Sequence, residues 1–181
     1  MSLGKAVDGK EPLALLPRLL DAYRVVLREL AQAGAEWVQM DELCLVTDLA
    51  VDAVAAYRKA YDLLSRSPVQ VMLTTYFGGL GNNAALACSL QTAGIHVDAV
   101  RAPEQLMNVV SRLGAEQTLS LGWVDGRNIW LADLDAASAL VRDVVARIGS
   151  ERVQVAPSCS LLHVLFDTAY ELKLIRGCGR G

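Results

Sequence analysis

Apolar residues recur along the chain with two alternating periods, one typical of short strands and one typical of helices. Strands are predicted at 37–40, 69–77, 95–100, 117–124 and 152–156. Residues spaced by three and four predict helices at 17–33, 51–64, 84–92, 103–113, 134–148 and 161–172. This alternation predicts an α/β fold made of parallel βα units with right-handed crossovers.

Proline and glycine mark several helix ends. Pro17 suits a first helical turn, where its missing N–H is not needed. Gly34 and Gly149 follow the last apolar positions of two helices, and glycine readily adopts the left-handed conformation that ends many helices. We therefore expect helices to stop at these two glycines.

A parallel sheet of five strands fits two architectures. One is an open doubly wound sheet, and the other is part of a (β/α)8 barrel, which takes about 250 residues when complete. A doubly wound nucleotide binder is disfavoured because the first βα turn lacks a glycine fingerprint. The stretch Gly78–Gly81 lacks both the Walker lysine and the dinucleotide spacing, so it predicts a turn. In either architecture the chemistry belongs at the carboxyl ends of the strands.

The first strand ends in two adjacent carboxylates. Neighbouring side chains in a strand leave on opposite faces, so Asp41 and Glu42 cannot both enter one site. We expect Asp41 to reach the mouth of the sheet, where it would bind an amine or act as a base. We expect Glu42 to lie in a solvated loop or to cap the following turn.

The stretch Asp125–Trp130 places a carboxylate, a guanidinium and an amide in one short loop beside a tryptophan. It fits a ligand site built from Asp125, Arg127 and Asn128. It equally fits a self-bonded turn in which Asp125 accepts backbone N–H groups and pairs with Arg127. The sequence leaves both interpretations open.

Two further pairs of residues have spacings that would allow acid–base catalysis or metal binding. His96 and Asp98 share one strand face, but a packed histidine and an Asp98–Arg101 ion pair are favoured over a catalytic pair. Cys159 and His163 would share a helix face. No further metal ligand follows at a recognisable spacing, so a buried structural Cys159 is favoured.

Composition narrows the class of protein. The 181 residues are 53% hydrophobic with a formal charge of −3, which excludes a disordered chain and disfavours nucleic-acid binding. Apolar runs are too short to span a membrane, and Met1–Lys5 lacks the apolar core of a signal peptide. Cys44, Cys88, Cys159 and Cys178 lie far apart, as free thiols do in the reducing cytoplasm. We predict a cytoplasmic protein that binds neither nucleic acid nor membranes.

Four stretches, taken in order and spacing, resemble the N-terminal barrel of cobalamin-independent methionine synthase. They are Leu3–Ala6, Trp37–Glu42, Val124–Trp130 and Ser158–His163. The resemblance runs from about Leu3 to Glu171. It implies a two-barrel enzyme that transfers a methyl group from 5-methyltetrahydropteroyl-triglutamate to homocysteine.

The resemblance also implies that zinc chemistry resides in the other, C-terminal barrel, where His, Cys, Glu and Cys hold the metal. Here Thr75–Phe77 replace a His-x-Cys strand end, while Asp98 and Cys159 occupy positions resembling two of the ligands. Two ligands do not make a closed zinc site. We therefore expect no cofactor in this chain, although zinc and folate polyglutamate serve the family.

Asp41 resembles the aspartate that holds the homocysteine amine in the catalytic barrel. Together with the loop residues Asp125, Arg127 and Asn128, it forms the set of candidate substrate-binding residues. The family usually has proline where this chain has Leu43.

By resemblance, three barrel strands lie before residue 1, so the chain would form about the last five βα units of a partial TIM barrel. The expected domain is 1–173, followed by a disordered tail at 174–181. Such a segment would have two open sheet edges and an opened apolar interior, which predicts a homo-oligomer or a strand added by rearrangement. The resemblance implies that the chain supports the catalytic barrel and helps to hold the polyglutamate tail of the folate, and we expect it to be inactive alone. The alternative is a stand-alone scaffold or small-molecule-binding module.

Overall fold

The computed structural model describes Gly9 and residues 11–164, and within them strands and helices alternate as the sequence predicts. The strands are β1 Trp37–Asp41, β2 Gln70–Thr74, β3 Gly94–Asp98, β4 Thr118–Val124 and β5 Val153–Pro157. The helices are α1 Leu16–Gln32, α2 Val51–Leu64, α3 Ala84–Ser89, α4 Leu106–Val110 and α5 Leu134–Ile148. None of the described helices is long and apolar enough to cross a membrane.

The five strands form one parallel sheet in the order β1-β2-β3-β4-β5. Each strand pairs with the next one along the chain, so the described sheet has no point at which the strand order reverses. A doubly wound fold requires such a reversal. The uniform order is that of a (β/α)8 barrel, and the described chain is therefore a partial, TIM-barrel-like sheet.

The hydrophobic core lies between the helices and one face of the sheet. Alternate strand residues point into it, because successive strand side chains face opposite ways. These buried residues are Val71, Leu73, Ile95, Val97, Leu119 and Leu121. They pack against Leu20 and Leu27 of α1, Tyr61 and Leu64 of α2, and Val144 of α5.

Helix ends follow the local signals in the sequence. Gly34 and Gly149 both have positive φ, at 94° and 87°, where a side chain would be strained. Pro17 lies in the first turn of α1. The helix predicted at 84–92 begins at Ala84 but ends at Ser89, where Leu90 is extended. The helix predicted at 103–113 is α-helical only over Leu106–Val110, and a 3₁₀ turn at Pro103–Gln105 forms its predicted first turn.

The last predicted helix begins differently from the expectation. Leu161–His163 forms a 3₁₀ turn instead of an α-helical turn. The remainder of 161–172 lies outside the described residues, as do Cys178 and the tail 174–181.

Candidate functional site

The concave face of the sheet, opposite the helices, is polar. The residues facing it include Gln39, Thr74, His96 and Ser120, which line a cleft of about 280 Å³ together with Met72 and Tyr76. Strand register places Asp41, Thr74, His96, Ser120 and Gln154 side by side in one layer. This face is therefore less apolar than expected, although Met72, Ala156 and Leu161 also line the cleft, because the strands alternate between apolar core residues and more polar residues on this face.

His96 lies in this layer as a packed residue. It is 5% exposed, its Nδ1 lies 2.9 Å from Ser120 Oγ, and its Nε2 lies 3.4 Å from the Ser158 carbonyl oxygen. Burial lowers the pKa of His96, so the ring is neutral at pH 7. A Cβ at Gly122 would lie 2.8 Å from the His96 ring, so glycine leaves the space that the imidazole fills.

Asp41 reaches the mouth of the cleft, where its carboxylate accepts two hydrogen bonds. One comes from Gln39 Nε2 at 2.7 Å, and the other comes from the Tyr76 hydroxyl at 2.8 Å. Burial and the bond to Asp41 raise the pKa of Tyr76 to about 12. The hydrogen bond between Asp41 and Tyr76 thus joins the ends of β1 and β2. Tyr76 was not among the site residues predicted from the sequence.

Phe77 is the second residue that sequence reasoning missed. Its φ is 73°, a left-handed conformation that is uncommon for any residue other than glycine. Its ring contacts the Tyr76 ring edge-on at 4.7 Å between centroids, and the Arg127 guanidinium lies 4.8 Å from its centroid. Such strain often marks functional sites, but no sequence signal identifies a phenylalanine that adopts it.

Asp98 acts as a clamp between two loops. Its carboxylate accepts backbone N–H groups from Phe77 at 3.0 Å, Val100 at 3.0 Å and Arg101 at 2.8 Å. The ion pairs found among the described residues do not include the expected pair between Asp98 and Arg101. Asp98 instead accepts the backbone N–H of Arg101. The clamp fixes the loops after β2 and β3, and it holds Phe77 in its strained conformation.

The Asp125–Asn128 loop forms a self-bonded turn, but without the expected pairing of Asp125 with the Arg127 side chain. Asp125 accepts the backbone N–H of Arg127 at 2.8 Å and a short hydrogen bond from the Asn128 side chain. The side-chain Oδ1 of Asn128 accepts the backbone N–H of Trp130 at 2.9 Å. Asp125 and Asn128 therefore build a self-bonded turn, whereas the Arg127 side chain extends to Phe77 instead of pairing with Asp125.

Cys159 lies under this loop and is 6% exposed. A Cβ at Gly126 would lie 2.8 Å from the Cys159 carbonyl oxygen and 3.0 Å from its Sγ, so the loop packs directly on it. Burial raises the pKa of Cys159, with Asp98 and Asp125 adding to the rise, so the thiol is protonated at pH 7. Cys159 precedes the 3₁₀ turn that contains His163, so the two residues do not share a helix face; the His163 side chain lies outside the described part.

Asp98 and Cys159 do not fit a zinc site. The Asp98 carboxylate is engaged by three N–H donors, and zinc binds cysteine as the thiolate. Among the described residues, no group of three or more His, Cys, Asp and Glu could hold a metal ion.

Glu42 lies on the other side of the sheet from Asp41, as alternation requires. Its side chain neither caps the following turn nor lies in a solvated loop, so that expectation is wrong. The carboxylate turns under α2 and accepts hydrogen bonds from two tyrosines of that helix.

Comparison with known proteins gives one family. The family model described as "Cobalamin-independent synthase, N-terminal domain" matches residues 1–149. A 5-methyltetrahydropteroyltriglutamate–homocysteine methyltransferase from Nitrobacter winogradskyi is 50% identical over 177 residues, which is 96% of this chain and 23% of that protein. A protein of the same description from Xylella fastidiosa strain M23 is 49% identical over 173 residues, 95% of this chain and 23% of that protein.

The chain thus spans about 23% of the length of these relatives. A solved structure described as a vitamin-B12 independent methionine synthase from Listeria monocytogenes superposes with a TM-score of 0.64 at 18% identity. The match covers 81% of this chain and 48% of that one, and it supports the barrel-type fold.

Proposed function

This chain belongs to the family of the cobalamin-independent synthase N-terminal domain, and from that premise we propose that it serves as a supporting part of a methionine synthase. The reaction would transfer a methyl group from 5-methyltetrahydropteroyltriglutamate to homocysteine. The observation that carries the proposal is the identity of about 50% over nearly the whole chain to methyltransferases of that description. Soluble, cytoplasmic action fits this role and the three described cysteines, which are free and buried.

In this proposal the chain does not carry out the chemistry by itself. Asp98 and Cys159 do not fit a metal site, and zinc and the reacting thiol would belong to a catalytic barrel elsewhere in the whole enzyme. We expect no methionine formation when the purified chain is mixed with homocysteine, the folate substrate and zinc. Zinc-dependent methionine formation by this chain would overturn the proposal.

The contribution that we propose for this chain is to help hold the polyglutamate tail of the folate. Arg127 supports this, because its guanidinium lies at the sheet mouth and can bind a carboxylate through paired hydrogen bonds. Asp125 and Asn128 would act by holding the turn that positions Arg127. Asp41, beside Tyr76, would accept an amine at the same mouth.

A matched pair of variants tests the role of Arg127. Arg127→Gln should weaken binding of 5-methyltetrahydropteroyl-triglutamate by at least about tenfold in titration calorimetry, since a charge-assisted hydrogen bond contributes about 1.5–3 kcal/mol and about 1.4 kcal/mol is a factor of ten. Arg147→Gln is the control, because Arg147 lies on α5 and pairs with Asp143 on the surface. Equal binding by the two variants, or no binding by the wild-type chain, would contradict the role of Arg127.

A stand-alone binding module is the second candidate function. The polar cleft of about 280 Å³ beside Asp41 favours it, because a cleft with a few placed polar groups can orient a small amine or carboxylate. A ligand that binds the folded chain raises its thermal midpoint by mass action. A midpoint raised by small amines, but not by folate polyglutamate, would favour this alternative over the supporting role.

We also propose that the isolated chain self-associates through the free edges of β1 and β5. Within the described sheet, each of these strands pairs on one side only. Exposed parallel edges present unpaired N–H and C=O groups to other chains. Sedimentation should therefore show a size that increases with concentration, and a monomer at all concentrations would contradict the proposal.

A further inference from the structure

In the part of the chain that the structure describes, Phe77 is the one residue other than glycine that has a positive φ. For a bulky side chain this conformation is an outlier, and it persists only where the surroundings impose it. Glycine adopts the same φ without strain, and the two residues that follow, Gly78 and Gly79, are glycines. A phenylalanine at this position therefore needs a reason that depends on its ring.

The backbone at Phe77 is fixed by hydrogen bonds to β3. Thr75, two residues earlier, is fully buried, and both its N–H and its hydroxyl donate to the His96 carbonyl oxygen, at 3.2 Å and 3.0 Å. The N–H of Phe77 itself donates to Asp98 Oδ2 at 3.0 Å. The neighbouring strand thus sets the direction in which the phenyl ring leaves the chain.

The phenyl ring is only partly buried. It is 38% exposed, so burial removes only part of its apolar surface from water. The Tyr76 ring contacts it edge-on, with 4.7 Å between centroids. The central carbon of the Arg127 guanidinium lies 4.8 Å from the ring centroid, within the distance at which an aromatic face attracts a cation. Attraction to this charge therefore adds to the contribution of burial.

Arg127 has few other contacts that could orient its side chain. The residue is exposed, and no hydrogen bond or ion pair found among the described residues uses its guanidinium. Asp125, the nearest acid in sequence, accepts the backbone N–H of Arg127 and the Asn128 side chain instead. A free arginine loses side-chain entropy when it binds a ligand. A ring that already holds the guanidinium reduces this loss and leaves its N–H donors for a carboxylate.

We propose that Phe77 is a positioning residue, which holds the Arg127 guanidinium at the mouth of the sheet so that its N–H groups meet a carboxylate of the ligand. This inference rests on the proposed function, in which Arg127 binds the polyglutamate tail of the folate. Asp98 contributes indirectly, because it holds the Phe77 backbone in the conformation that turns the ring toward Arg127. If the ring only packed on Tyr76, Arg127 would not depend on it.

Nuclear magnetic resonance tests the positioning without any ligand. An aromatic ring shifts the signals of protons above its face, so the side-chain protons of Arg127 should resonate at lower frequency than those of a solvated arginine. Phe77→Leu should remove this shift, whereas Phe77→Tyr, which keeps a ring, should retain it. Tyr23→Leu is the control, because it removes a half-exposed ring from α1. Unshifted Arg127 signals in the wild type, or equal shifts in the wild type and Phe77→Leu, would overturn the proposal.

A double-mutant cycle tests what the positioning does for binding. In titration calorimetry with 5-methyltetrahydropteroyl-triglutamate, Phe77→Leu should weaken binding about two- to fivefold, the range expected for a cation–π contact at an exposed site. The same substitution should have no effect in the Arg127→Gln chain, because the ring acts through the guanidinium. Phe77→Tyr should keep the wild-type affinity. An equal loss in both backgrounds would show that the ring contacts the ligand itself, and would overturn the positioning role.

The two experiments separate this inference from the function on which it rests. If the wild-type chain binds no folate polyglutamate, the proposed function fails, and the resonance shift alone decides whether Phe77 positions Arg127. If the wild type binds and Phe77→Leu binds equally well, the proposed function stands and the positioning role is wrong.

Discussion

At the residue scale, single polar groups decide how the loops at the mouth of the sheet are arranged. Asp98 occupies a position that resembles a metal ligand in sequence, yet its carboxylate accepts three backbone N–H groups from two loops. Phe77 keeps its positive φ beside this clamp, and Arg127 lies against the Phe77 ring. The mouth is therefore held by backbone contacts that residue types alone do not reveal.

Loss of the Asp98 charge should loosen both loops. We expect Asp98→Asn to lower the free energy of unfolding by about 2–3 kcal/mol, because hydrogen bonds to charged groups are strong and a buried N–H would lose its acceptor. Urea unfolding measures the change, with Asp135→Asn as control because Asp135 is exposed on α5. Similar stability of the two variants would show that Asp98 is not a clamp.

Glu42 should make stability depend on pH. Burial raises its pKa above the ordinary value of 4.5, so the folded chain binds the proton more tightly than the unfolded chain. Its stabilising contribution is complete below that value and is lost as pH rises through the raised pKa. The free energy of unfolding of wild type should therefore fall relative to Glu42→Gln as pH increases through this window. Urea titrations at several pH values measure the difference, and parallel pH curves for the two proteins would contradict the prediction.

At the scale of elements, local signals set the bounds of two long helices, and a tertiary contact sets the end of β2. The bounds of α2 and α5 match the apolar periodicity, whereas β2 ends at Thr74, three residues before the predicted Phe77. The chain turns there because Phe77 adopts the left-handed conformation and bonds to Asp98 of the neighbouring strand. A contact across 21 residues has no counterpart in local periodicity.

The beginning of α5 should depend on its cap. The Asp133 side chain accepts the N–H of Ala136 at 3.0 Å. Asp133→Ala should lower the free energy of unfolding by about 1 kcal/mol, whereas Asp133→Asn, which keeps a capping oxygen, should lower it much less. Thermal unfolding followed by circular dichroism compares the two, and an equal loss in both variants would exclude capping as the cause.

At the scale of the whole molecule, strand order and the polar concave face define what the described chain can do. The uniform parallel order excludes a reversal within this sheet and gives a partial barrel. The cleft on the concave face brings Gln39, His96 and Ser120 together from three strands. This arrangement suits the binding of polar ligands, and the chain spans about 23% of the length of its Nitrobacter winogradskyi relative.

Among residues 11–164, the part of the chain that the structure describes, no group of three or more His, Cys, Asp and Glu could hold a metal ion, and this predicts how the chain responds to zinc. A zinc site filled at one hundred times its dissociation constant would stabilise the fold by about 2.7 kcal/mol, which raises the thermal midpoint by several degrees in a chain of this size. We expect neither added Zn²⁺ nor treatment with a chelator to move the midpoint. Stoichiometric bound zinc together with a raised midpoint would contradict the geometry at Asp98 and Cys159.

The sequence by itself determined the alternation of strands and helices, the parallel sheet and the family, because these depend on local periodicity and on matching stretches of residues. It also placed Asp41 and Arg127 at strand ends near the mouth. Only the tertiary structure decided that Asp98 holds loops and that Asp125 and Asn128 close a turn while Arg127 reaches Phe77. It also decided that Glu42 lies half-buried and bonded to two tyrosines. These outcomes depend on contacts between residues that lie far apart in the chain, or on which of several acceptors binds a given N–H group. The local sequence does not specify which of these contacts forms.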